Sequence, residues 1–165
     1  MILSILLLAS VPAASATQPK DACVLVTQAE VQAITPKLPV GTGTPSTLEP
    51  LGTLVCQYKW GTGNNAQSGR YELEISVTSV AKAYPGTSPT LIKQGLVGMI
   101  KPGAVDSAVV GGVGDAATYQ SAAAIQSTAV ALVKKMILTV SLTGPDGRAK
   151  RTQVIALLKA AAGRL

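Results

Sequence analysis

Histidine and phenylalanine are missing from this chain, cysteine occurs only twice, and charged residues make up just 13% of it. Each shortage removes a class of function. Without imidazole there is no side chain whose ordinary pKa lies near neutrality, and the commonest general base and metal ligand go with it. Aromatic residues at 3% are too few to build a stacking platform for bases, which argues against nucleic acid as a partner. No later segment offers the roughly 18 uncharged apolar residues of a spanning helix. What is present is 165 residues, 47% of them hydrophobic, with 14 Lys and Arg against 8 Asp and Glu for a formal charge of +6. That composition suits one globular domain rather than a disordered chain.

Ile2 to Val11 form an apolar run, followed by Pro12 and the small residues Ala13, Ala14, Ser15 and Ala16. The run is short of the roughly 20 residues that cross a bilayer, and Ala14-Ser15-Ala16 meets the small-x-small demand of a signal peptidase. Residues 1–16 are therefore expected to be a signal peptide and 17–165 a single exported domain beginning at Thr17. The competing reading is a buried N-terminal helix or strand. No Lys or Arg lies between Met1 and the run; a start codon upstream of Met1 is the simplest explanation. No cysteine adjoins the cleavage point, so no lipid attachment is expected. The expected location is secreted, periplasmic or in the cell envelope.

In such a compartment Cys23 and Cys56, the only thiols, are expected to pair. On loop-entropy grounds that bond is worth about 3.8 kcal/mol. A catalytic thiol would need a base, and a metal site would need further ligands.

Thr27 followed by Glu30 has the form of a capping box, opening a short helix with Val31 and Ile34 that stops before Pro36. Pro36 to Gly52 is rich in Pro, Gly and Thr and reads as a surface loop, a connector or a binding loop. Thr53 to Trp60 reads as a strand, paired through the Gly61 to Gly69 turn with a second in which Tyr71, Leu73, Ile75 and Val77 alternate with Glu72, Glu74, Ser76 and Thr78. Thr90 to Ile100 is expected to be a helix weakened by Gly95 and Gly98. Ala116 to Gln120, Ser127 to Val133 and Met136 to Leu142 read as strands, the last two joined tightly at Lys134-Lys135. After the Pro145-Asp146-Gly147 turn, Arg148 to Arg164 forms the last helix. The order excludes a parallel sheet. It predicts an α+β fold with an antiparallel sheet of about five strands and three helices, the C-terminal one packed on the sheet.

Few residues suggest chemistry. Glu72 and Glu74 share one face of a strand, about 7 Å apart, and paired carboxylates can hydrolyse glycosides, though the same alternation marks the wet face of any amphipathic strand. Gly112, Gly114 and Ala117 match the letters of a dinucleotide fingerprint, but a strand rather than a helix follows, so glycines at a turn with Asp115 accepting backbone N–H bonds is the better reading. Thr17, once exposed by processing, would have the form of an N-terminal nucleophile. No Ser-Lys spacing stands out. Arg148, Lys150, Arg151, Lys159 and Arg164 give the last helix five cations and no acid, which suits peripheral contact with an anionic surface or a solvent face over a sealed apolar side.

The chain resembles small exported lipoprotein-type domains of unknown function found mainly in actinobacteria, some of them similar to the PsbP-like α+β sandwich. The resemblance rests on Asp21, Cys23, Leu25, Thr27, Glu30 and Val31, on Cys56 and Tyr58, and on Gly112, Gly114, Asp115 and Ala116 ahead of two strands and a final helix. Members often carry a lipid-attachment cysteine, which this chain lacks. The resemblance implies fold and location, with no catalytic residues to carry over. The expected function is an exported non-catalytic domain that binds a protein or envelope component through the 36–52 loop, the face bearing Tyr58 and Trp60, or Arg148, Lys150 and Arg151. The alternatives are a small secreted hydrolase using carboxylates and an inhibitor of a secreted hydrolase. No metal or cofactor is expected.

Overall fold

The computed structural model describes residues 18–100 and 106–165; the signal-peptide expectation and Thr17 lie outside them. The fold is α+β, built on a seven-stranded antiparallel sheet: β1 (Thr44–Leu48), β2 (Thr53–Gly61), β3 (Arg70–Ser79), β4 (Ser107–Val109), β5 (Ala116–Ala122), β6 (Gln126–Val133) and β7 (Met136–Thr143). The strands lie in the order β1-β2-β3-β7-β6-β5-β4. Among the described residues four α-helices accompany them: α1 (Gln28–Gln32), α2 (Val80–Ala83), α3 (Pro89–Gly98) and α4 (Arg151–Gly163).

The expectation of about five strands and three helices needs correcting. The two additional strands are the edges. β1 lies inside the Pro- and Gly-rich segment read as loop, and all its residues are exposed. Its extended shape comes from backbone pairing with β2 alone, from Thr44 opposite Gln57 to Leu48 opposite Thr53. No hydrophobic alternation marks such a strand. β4 is three residues long, and α2 is a single four-residue turn.

Side-chain alternation gives the sheet two unlike faces. On the inner face Tyr71, Leu73, Ile75 and Val77 of β3 are buried beside Leu138, Val140 and Leu142 of β7 and Ala129, Ala131 and Val133 of β6. Val154, Leu157, Leu158 and Ala161 of α4 close over β6 and β7. Ala22–Leu25, a 3-10 turn capped by Asp21, covers β2 and β3 alongside Val31 and Ile34. Cys23 and Cys56 form a disulfide, with Cα atoms 4.9 Å apart, that fastens this turn to β2. The capping box is formed: the Glu30 backbone N–H donates to Thr27 Oγ1 at 3.2 Å, and the Thr27 N–H donates to Glu30 Oε2 at 2.6 Å.

The outer face is covered only in part, where the first turn of α3 meets Leu132 beside β5 and β6. Elsewhere it is mixed, with Val55 of β2 buried on this face and one row of it polar. Gln57, Glu74, Ser141, Thr128 and Gln120 form one row across β2, β3, β7, β6 and β5, none of them fully buried.

Candidate binding surfaces

Tyr58 and Trp60 sit on the inner face and are only 3% and 5% exposed. The Trp60 ring stacks on Tyr71 with centroids 5.4 Å apart, and its indole N–H donates to Thr35 Oγ1 at 2.6 Å. Burial raises the Tyr58 phenol pKa. Tyr71 is pushed up to about 12 by burial and by its hydrogen bond to Asp146. The aromatic rings are thus spent on the core, with each polar tip of the Trp60–Tyr71 stack satisfied.

The cations of the C-terminal segment are similarly engaged. Arg148 pairs with Asp106, and Lys150 Nζ lies 3.2 Å from Asp146. Burial would raise the Asp146 pKa, but the Tyr71 and Lys150 hydrogen bonds outweigh it and hold the carboxyl below its ordinary value. Arg151 lies over the Tyr119 ring, 4.9 Å from its centroid. Arg164 grips Glu30 with two hydrogen bonds of 2.9 and 2.8 Å and also donates to the Leu25 carbonyl at 2.8 Å. That grip lowers the Glu30 pKa to about 2. The helix begins at Arg151, because Gly147–Lys150 is a 3-10 turn. Lys159 has no carboxylate within ion-pair distance.

Glu72 and Glu74 do share the outer face of β3, as the two-residue spacing demands. Glu72 accepts a hydrogen bond from Gln57, and Lys59 Nζ lies 3.9 Å away. Both carboxylates are partly open to solvent. Gly112 and Gly114 take positive φ of 72° and 52° in a turn that leads into strand β5. Asp115 uses its backbone N–H, which donates to the Leu132 carbonyl at 2.8 Å; among the described residues no hydrogen bond reaches its carboxylate. Among the described residues, no group of three His, Cys, Asp or Glu is placed to hold a metal ion, and no helix is long and apolar enough to cross a membrane.

Two of the surfaces open among the described residues bear on binding. One is the segment around β1, with Leu48 and Leu51 exposed at its end. The other is a cleft of about 380 Å³ between the first turn of α3 and the β6–β7 turn, lined by Pro89, Thr90, Lys93, Asp115, Leu132, Lys134 and Lys135. Sequence reasoning saw Lys134-Lys135 only as a tight turn. The signal available was the residue type: two-residue hairpin turns favour Asn-Gly, and paired lysines there are unusual.

Comparison of the chain with protein-family models, curated proteins and solved structures returns no match.

Proposed function

We propose that this chain is an exported, non-catalytic domain that binds a partner protein of the cell envelope through the β1 edge and the 36–52 segment. One observation carries the reading: β1 is exposed along its whole length while paired on one side only. An open edge offers unpaired backbone groups to an extended segment of another protein, the geometry of strand addition. Of the other two surfaces suggested by the sequence, Tyr58 and Trp60 are buried, and Arg148, Lys150 and Arg151 each have a partner within the chain. The Cys23–Cys56 disulfide supports an oxidising compartment, and the resemblance to exported actinobacterial domains points the same way.

A photo-crosslinking residue placed at Ser46 on β1 is expected to capture a partner in cells, whereas one at the exposed Lys159 on α4 captures none. The charge-neutral edge block Thr44→Lys with Leu48→Glu abolishes capture. Equal crosslinking from both positions, or capture that survives the edge block, refutes the assignment. Because β1 contributes no buried side chain, the block shifts stability by no more than about 0.5 kcal/mol.

A further inference from the structure

Helix α3 is apolar around much of its circumference, yet none of its residues is buried. At 100° per residue, Ile92 and Leu96 fall on one side and are half-buried. Leu91 and Val97 lie off that side and are 58% and 38% exposed, and Met99 at the C-cap, on the Ile92 side, is 61% exposed. A helix with apolar residues on both sides normally has cover on both. The polar surroundings identify the chemistry of the missing cover. Lys93 on α3 and Lys134 and Lys135 on the adjoining turn line one cleft. All eight acidic residues of the chain are among the described ones, and none is ion-paired with these three lysines. Asp115 is the one acid on the cleft wall. This contrasts with the C-terminal cations, three of which face carboxylates.

Exposed aliphatic side chains beside uncompensated ammonium groups match the boundary of an anionic bilayer, where phosphates meet hydrocarbon. We infer that α3 and the Lys134-Lys135 turn form a peripheral docking surface for an anionic phospholipid bilayer, the lysines meeting headgroup phosphates and Leu91 and Val97 entering the headgroup boundary. This relocates the expected anionic contact from the C-terminal helix to the opposite side of the sheet. It rests on observations independent of β1.

The backbone provides a sharp test. Lys134 and Lys135 both have positive φ, 47° and 67°, a conformation that costs a residue with a Cβ and suits Asn-Gly. Lys134→Asn with Lys135→Gly should therefore raise Tm while weakening binding to vesicles of phosphatidylcholine and phosphatidylglycerol about 30-fold. A misfolded variant would lower Tm, so loss of fold cannot mimic the result. Wild-type full chain should prefer these vesicles to pure phosphatidylcholine; residues 2–11 carry no charge and contribute alike to both compositions. Leu91→Ser with Val97→Ser should cause a severalfold loss that persists at high salt, where lysine attraction is screened. The charge-neutral β1 block should leave vesicle binding intact, and the lysine and α3 variants should leave Ser46 crosslinking intact, so either reading can fail alone. Equal partition into both vesicle types, or undiminished binding by the lysine variant, overturns the inference. Self-association of the wild type lost in the α3 variant would assign the face to a second copy instead, and release from vesicles by millimolar inorganic phosphate would assign the cleft to a free anion.

Discussion

Across five strands of the sheet, Cys56, Ile75, Val140, Ala129 and Tyr119 form one row on the inner face, and every one is buried. One residue further along, Gln57, Glu74, Ser141, Thr128 and Gln120 form the matching outer row and none is sealed. The inner face has covering elements at both ends of the chain, stapled by the disulfide and clamped by Arg164 on Glu30. The outer face has α3 over β5 and β6. The difference separates charge paired within the fold from charge that has no carboxylate partner. Arg148, Lys150 and Arg164 have carboxylates, while Lys93, Lys134 and Lys135 have none within ion-pair distance.

Substitution can widen or erase this contrast. The largest effect belongs to Trp60→Ala, which removes the stacked indole from the inner face and leaves Thr35 without its donor. A loss of about 4 kcal/mol in urea unfolding is expected, and a loss below about 1 kcal/mol would show that the ring is not part of the core. Glu30→Gln should cost about 1 kcal/mol near neutrality, a modest value because the pair is partly open to solvent. Its sign with pH is fixed by the lowered folded pKa. Above the ordinary value of 4.5 the carboxylate is ionised in folded and unfolded chains alike and the clamp contributes fully. As pH falls from 4.5 towards about 2 the unfolded chain takes up the proton first, so the contribution drains away. Stability of wild type and variant should converge over that interval, and parallel curves would show that the clamp contributes nothing. On the outer face, Glu72→Gln and Glu74→Gln are expected to change stability by less than about 0.5 kcal/mol each. A larger loss would mean that this face is structurally committed too.

Much of the inner face was readable from residues alone. Tyr71, Leu73, Ile75 and Val77 alternate because β3 is half-covered, and the same period marks β7. The Thr27 and Glu30 cap is a local pattern and formed as expected, as did the Cys23–Cys56 bond. The edges were hidden for a physical reason: Thr44 to Leu48 bury nothing, so their strand is dictated by a neighbour and leaves no imprint on composition. Tyr58 and Trp60 were read as surface aromatics because alternation in β2 is blurred by Val55 and Cys56, both buried on opposite faces. The fate of the C-terminal cations was also illegible, since Arg148 and Arg164 find Asp106 and Glu30 only through the tertiary fold. The gathering of Lys93, Lys134 and Lys135 on one cleft with a single acid, Asp115, is likewise a product of the tertiary fold and invisible to a count of charge.

The bond from Arg164 to the Leu25 carbonyl joins residues 139 positions apart. A ribosome releases Leu25 long before Arg164 exists, so the early segment can be stapled to β2 by its sulfur bridge yet must wait for the final helix before its clamp can close. Completion of this domain consequently waits on α4, and a nascent chain stalled short of that helix would display the inner face of β6 and β7 bare.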